Sequence, residues 1–290
     1  MTAGATNVEW ERVRSALREE VRRVTDLLRS VRDPDAPAVG HWTLAEVAMH
    51  LSQAWLLVPG LARRDLSRIY EVIPSLADTA GGALIRSLWD HEKITNLGVQ
   101  SDAERDPGVL ADRIDARAEE FFAECAGLSG DEERPWHIEG ATLRVANLVG
   151  HLLNETIMHG LDIARAERRP WRIEPEHAAL TLSEFIFPVI SALDPRELVD
   201  GIRGAGFRAS YDLKIRGGKR YHFIFDDGAV TVEDPADRQI DCHISADPVG
   251  LLMVIWARRS QWSAIARGQL MVWGRKPWIG PQFRRLLRNP

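Results

Sequence analysis

The chain has 290 residues, 45% hydrophobic and 27% charged, with a formal net charge of −5. This is the balance of a globular protein with room for one large domain or two ordinary ones, and it excludes long disordered stretches. The negative charge argues against a general nucleic-acid binder. No window approaches about 18 uncharged apolar residues, so no transmembrane segment is expected.

The polar lead Met1 to Asn7 lacks a basic segment followed by an apolar core, so it does not read as a secretory signal, and the expected compartment is the cytoplasm. Cys125 and Cys242 stand far apart and outside any CxxC spacing; they read as buried free thiols. Lys occurs only at 93, 214, 219 and 276, and the other 33 of the 37 basic residues are Arg. Most cationic groups are therefore permanent and capable of bidentate contacts.

In chain order, Trp10, Val13, Leu17, Val21, Val24, Leu28 and Val31 recur at three and four and predict an amphipathic helix from Val8 to Val31. Asp33 to Pro37 breaks it. Thr43 with Glu46 three residues on is a capping-box spacing, opening a helix from Leu44 to about Leu57 that should stop before Pro59. Leu61 to Val72 and Ala83 to Leu97 look helical, separated by the turn-rich stretch Asp78 to Gly82. Asp106-Pro107 opens a helix to about Cys125. Gly127 to Trp136 reads as a loop, Thr142 onward as a long helix ending at Arg165 to Pro170, and Pro175 to Leu193 as another helix.

After Asp194-Pro195 the period changes to two. Tyr211, Leu213 and Ile215 alternate with charged residues and Gly217-Gly218 is a hairpin signal; Tyr221, Phe223 and Phe225 alternate next, and Asp226-Asp227-Gly228 turns the chain. Val230 and Val232 follow, then Ile240, Cys242 and Ile244. Asp247-Pro248 starts a helix, Gln269 to Trp273 a short strand, and Pro281 to Leu287 a last helix. Helices first and strands later indicate an α+β protein of two domains. The join is placed between Asp194 and Gly204, giving a helical domain over 7–196 and a small α/β domain over 205–290.

The chemistry concentrates in His151 to His159. Glu155 and His159, four apart on a helix, project from one face about 40° and roughly 6 Å apart. They can share one ion. His151 lies a turn back on the same stripe, either supporting that site or simply an exposed histidine. His50, in the apolar run Val47 to Leu51, offers a third ligand or is a hydrogen-bonded core histidine. Three protein ligands plus an open position make a reactive site, and four a structural one.

Two runs carry a family resemblance. Gly40-His41-Trp42-Thr43-Leu44-Ala45-Glu46-Val47-Ala48-Met49-His50-Leu51 resembles the entry motif of the DinB-like, mycothiol-dependent maleylpyruvate isomerase family, with His41 where that motif has Gly. Asn154-Glu155-Thr156-Ile157-Met158-His159-Gly160-Leu161-Asp162-Ile163-Ala164-Arg165-Ala166, followed by Arg169-Pro170-Trp171, is similar to its second motif. The resemblance covers residues 7 to 193. It implies a DinB-like four-helix bundle whose divalent ion, zinc by preference, is held by His50, Glu155 and His159. Two imidazoles and a carboxylate also suit iron, nickel or cobalt. Asp162, three residues beyond His159, either orients an imidazole from the outer shell or caps charge on the helix surface.

The resemblance further implies that the open metal position takes the sulfur of a low-molecular-weight thiol, mycothiol being expected. The thiolate then attacks a small electrophile, giving isomerisation of an unsaturated keto acid or S-transfer to a halide or epoxide. Catalytic residues beyond the metal site, the substrate and the oligomeric state are not implied. Two other readings stand beside it: a metal-containing small-molecule or lipid-like ligand-binding protein without thiol chemistry, and a metal-dependent hydrolase using bound water.

Residues 207 to 288 resemble the sterol-carrier-protein-2-like fold, on the strands around Tyr221 to Phe225 and Ala229 to Val232, the Asp247-Pro248 helix start and the run Ala266 to Gly274. Trp256, Trp262, Trp273 and Trp278 either line an apolar tunnel or fill a small core or an interface. Leu251 to Pro290 holds eight Arg or Lys and no Asp or Glu. This is either a basic face for an anionic ligand or membrane surface, or a solvated face pairing with the acidic remainder.

Overall fold

The computed structural model describes residues 3–73 and 91–288. The chain divides into two compact units, Met1–Arg172 and Ile173–Pro290.

The first unit contains α1 (Ala3–Arg29), β1 (Pro37–Val39), β2 (Trp42–Thr43), α2 (Leu44–Arg63), α3 (Ser67–Val72), α4 (His91–Ser101), α5 (Pro107–Cys125), β3 (Glu133–Pro135), β4 (Thr142–Arg144) and α6 (Val145–Ala166). Helices α1, α2, α5 and α6 form a four-helix bundle. Both α1 and α2 pack on α5 and α6, so the two consecutive helices stand on a diagonal. The stripe Val13, Leu17, Val21, Val24 and Leu28 of α1 is buried, as its spacing requires.

Thr43 caps α2 as its sequence predicts. Its hydroxyl accepts from the Glu46 amide, and Glu46 Oε2 accepts from the Thr43 amide at 2.8 Å. The helix does not stop before Pro59 but runs through it to Arg63. A proline in a helix interior costs about 3 kcal/mol. Val58 and Leu61 are buried in this last turn, and burying each returns about 1.5–3 kcal/mol, which outweighs that cost. Asp106 caps α5 with Pro107 in its first turn, as expected.

Two other expectations change. Residues Thr142 to Arg144 are not the start of the long helix but a strand paired antiparallel with β3, inside the segment read as a loop. The turn at 78–82 and most of the helix expected over 83–97 lie outside the described residues; His91 to Leu97 belong to α4.

The second unit contains α7 (Pro175–Thr181), a π-helical turn (Leu182–Ile186), α8 (Phe187–Ala192), α9 (Gly201–Gly204), β5 (Arg208–Ile215), β6 (Arg220–Asp226), β7 (Ala229–Glu233), β8 (Cys242–Ala246), α10 (Pro248–Ile255), α11 (Gln261–Ala266), β9 (Leu270–Trp273), a 3₁₀ turn (Pro277–Gln282) and α12 (Phe283–Leu286). Its five-stranded sheet has the order β7-β6-β5-β8-β9. β8 runs parallel to β5 and the other pairs are antiparallel. The β6–β7 hairpin turns on Asp227 and Gly228, both with positive φ, the pattern that two-residue hairpins need. Phe283 meets Tyr211, Phe223 and Phe225 edge to face at 5.1, 5.0 and 6.1 Å, closing the core on one sheet face.

Helices α7 and α8, over residues the sequence reading placed in a bundle domain ending at 196, pack inside this second unit. α7 lies against α10 and α8 against β7. The division at 172/173 thus precedes the expected join. The tryptophan expectation also changes. Trp262, Trp273 and Trp278 are 54%, 47% and 67% exposed and fill no core. Trp273 faces outward because β9 is the edge strand and its residues alternate between half-buried and exposed. Both cysteines are free and buried, as expected. Burial pushes the Cys125 thiol up to about 12 and the Cys242 thiol to about 11. Among the described residues, no helix is long and apolar enough to cross a membrane.

Candidate metal centre

Helix α6 is buried along nearly its whole length, so the polar side chains it turns inward must find partners. Glu155 and His159 stand one turn apart on it, and α2, packed against α6, brings His50 to the same point. Glu155 Oε2 lies 3.2 Å from His50 Nε2 and 3.3 Å from His159 Nε2. The three donor atoms all fall within 4.8 Å of one another, a grouping able to hold a metal ion. Bonds of about 2.0–2.1 Å in a tetrahedron place ligand atoms about 3.3 Å apart. The two Oε2–Nε2 spacings are close to that edge, and the remaining spacing, between the His50 and His159 nitrogens, is within 4.8 Å.

The surroundings fix the three side chains. The ring of Trp42, just ahead of the Thr43 cap, sits 5.2 Å from the His50 ring, and the His50 and His159 rings meet edge to face at 4.8 Å. Trp42 is held in turn by its Nε1, which donates to Asn96 Oδ1 on α4 at 3.0 Å. Asp162 Oδ2 lies 3.4 Å from His159 Nδ1, which leaves Nε2 of that ring facing Glu155. The other Glu155 oxygen, Oε1, accepts from Asn154 Nδ2 at 3.2 Å and has His151 Nε2 at 3.6 Å. His151 is only 6% exposed, so it is not the exposed histidine of one reading, and its ring lies stacked 5.9 Å from that of His137.

The protonation pattern follows. Burial lowers the pKa of His50 more than the Glu155 carboxylate raises it, so this ring is neutral. Burial opposes the charge of Glu155, but hydrogen bonds from His159 and His50 hold the carboxyl well below its usual range. Burial also opposes charge on His159, yet Asp162 and Glu155 together raise it to about 9. The centre therefore presents an ionised carboxylate, one ready neutral imidazole and one imidazole whose proton a cation would displace.

All five residues singled out from sequence (His50, Glu155, His159, Asp162 and His151) converge here. Sequence reasoning missed Trp42 as a ring support, Asn154 and His137. Asn154 sits beside Glu155 and gave no periodic signal of its own. His137 follows a strand that read as loop.

A cleft opens beside the triad. His50, Glu155, His151 and His137 form its polar end, and Leu57, Val58, Ile69, Ile73 and Ile94 an aliphatic wall. Its cavity volume is about 60 Å³, below the roughly 300–1,000 Å³ of drug-sized ligand sites, and it opens to solvent at its mouth.

Comparison with known proteins gives one family. Residues 17–164 match the model of the mycothiol maleylpyruvate isomerase N-terminal domain. Comparison with curated proteins gives no significant match. Among solved structures, a mycothiol-dependent maleylpyruvate isomerase aligns over 87% of this chain and 90% of its own, at 14% identity and a TM-score of 0.47. A UbiJ-SCP2 ubiquinone synthesis protein aligns over 35% and 88%, at 18% identity and a TM-score of 0.28. A stereoselective inverting sec-alkylsulfatase from Pseudomonas sp. aligns over 49% and 24%, at 12% identity and a TM-score of 0.29.

Proposed function

We propose a function from one premise: this chain belongs to the mycothiol maleylpyruvate isomerase N-terminal domain family. It is a metal-dependent enzyme that uses a low-molecular-weight thiol, mycothiol, on a small electrophile, either isomerising an unsaturated keto acid or transferring sulfur to a halide or epoxide. The observation that carries the reading is the placing of Glu155 Oε2 at 3.2 and 3.3 Å from two imidazole nitrogens at the head of a cleft. Three protein donors, where a structural ion takes four, suit a site that works on an exchangeable ligand.

His50, Glu155 and His159 would hold the ion, with zinc preferred for two nitrogen donors and one oxygen donor. When bound, the ion supplies Lewis acidity that favours thiolate over thiol at neutral pH. The chain's own residues do the rest. Asp162 orients the His159 ring, the outer-shell role such ligands require. Asn154 holds the Glu155 carboxylate in place. Trp42 supports the His50 ring from the side of the β2 turn. The aliphatic wall of the cleft keeps water from a reactive sulfur, and binding there turns a bimolecular encounter into a positioned one.

The test is turnover of a thiol-reactive electrophile by zinc-loaded protein, with and without mycothiol, beside His159→Ala. The reading expects turnover only with both metal and thiol, and none in the variant. Metal-dependent turnover of an ester without thiol would instead support the hydrolase, with water in the open position. Turnover indifferent to metal would contradict both.

A further inference from the structure

We infer that the cleft beside the triad takes an electrophile carrying an apolar chain of several carbons, in preference to a dicarboxylate such as maleylpyruvate. The inference rests on the thiol-enzyme reading above and narrows its substrate class. The cleft is divided by chemistry. Its ionisable groups are His50, Glu155, His151 and His137, at the end beside the triad. The opposite wall is built from three separate helices: Leu57 and Val58 of α2, Ile69 of α3 with Ile73 just beyond it, and Ile94 of α4. Ile69 and Ile73 pack with Leu56 in one apolar cluster that Leu57 and Ile94 border, so the wall is continuous.

The uncharged polar side chains that also line it are Gln53, whose Nε2 donates to the backbone oxygen of Gly98, and Thr95. Among the described residues that line the cleft none is Arg or Lys. A carboxylate laid on the aliphatic wall would lose its water and gain no counter-charge. An alkyl chain avoids that penalty and gains from every methylene it buries. The reacting carbon then lies toward the triad and the chain along α2, α3 and α4.

The experiment measures binding of unreactive ligands to the protein as purified, using the alcohols from 1-butanol to 1-heptanol and, separately, succinate. Affinity is expected to rise about three- to fourfold per methylene and to exceed that of succinate for the longer alcohols. Leu57→Gln, at a half-buried wall position, is expected to cut heptanol affinity about tenfold and leave butanol nearly unchanged. Ile94→Gln serves the same purpose should the first variant not fold. A flat series, tighter binding of succinate than of heptanol, or an unchanged slope in the wall variants would overturn the inference. The alcohols do not react, so the series tests the cleft whatever becomes of the thiol chemistry. Thiol-dependent turnover alongside a flat series would defeat this inference and leave the enzyme reading intact.

Discussion

At the scale of single residues, the proposed metal centre would exchange one proton for one ion. His159 holds its proton up to about pH 9 because Asp162 and Glu155 both face it, while His50 is neutral and Glu155 already ionised. Below about pH 9, ion binding should therefore release close to one proton per chain, and affinity should rise with pH until that value and then level. Calorimetry in buffers of different ionisation enthalpy measures the count; no proton release at pH 7 would contradict the assignment.

The same shift makes a stability statement for protein stripped of metal. A folded-state pKa above the ordinary 6.5 gives stabilisation that is complete below 6.5 and lost as pH rises through about 9. Asp162→Asn should move both windows toward acid and weaken metal binding about 10- to 100-fold, as loss of an outer-shell partner does. Part of this centre was legible in the sequence. Glu155 and His159 announce themselves by i,i+4 spacing, and His50 came from the motif around Trp42. Asn154 and His137 were not legible, because neither sits at a periodic spacing and His137 arrives from a segment with no helical or strand pattern.

At the scale of elements, the site depends on how α6 is seated. Gly160 follows His159, and a Cβ there would meet the Trp171 ring at 2.5 Å. Trp171 is itself held by the Arg23 guanidinium 4.4 Å over its ring. In an open helix, Gly→Ala would gain about 1 kcal/mol in propensity. Here overpacking against the ring should outweigh it, so Gly160→Ala is expected to destabilise the protein by about 1–3 kcal/mol. Adding Trp171→Ala should remove most of that clash in a double-mutant cycle. Purely additive effects in denaturant unfolding would contradict the packing account. Element boundaries were readable wherever a cap spelled them out, as at Thr43–Glu46 and Asp106–Pro107. They were misread where burial overrode local preference, as at Pro59, and where β3 and β4 are too short to show a period.

At the scale of the whole molecule, the change from helical to alternating periodicity after Pro195 announced two bodies. It did not show which body owned the helices just before it. The 3.6-residue period of α7 and α8 is the same whether a helix joins a bundle or covers a sheet, and only packing decides; here it sets the division after Arg172. A fragment of residues 1–172 should therefore fold as a helical bundle with a cooperative thermal transition by circular dichroism. A fragment ending at 204 should gain little stability over it, since α7 and α8 would lack β7 and α10. A non-cooperative 1–172 fragment would contradict the division. The basic C-terminal segment is at least partly paired rather than free, because Lys276 and Arg275 approach Asp241 at 3.0 and 3.8 Å.

The central claim is that His50, Glu155 and His159 hold a divalent ion. The most direct measurement is metal content by mass spectrometry on untagged protein purified without chelator, beside His50→Ala. The account predicts about one zinc per chain in the unaltered protein and loss of nearly all of it in a variant that remains folded. The absence of bound metal even after zinc is supplied, or unchanged stoichiometry in His50→Ala, would contradict it.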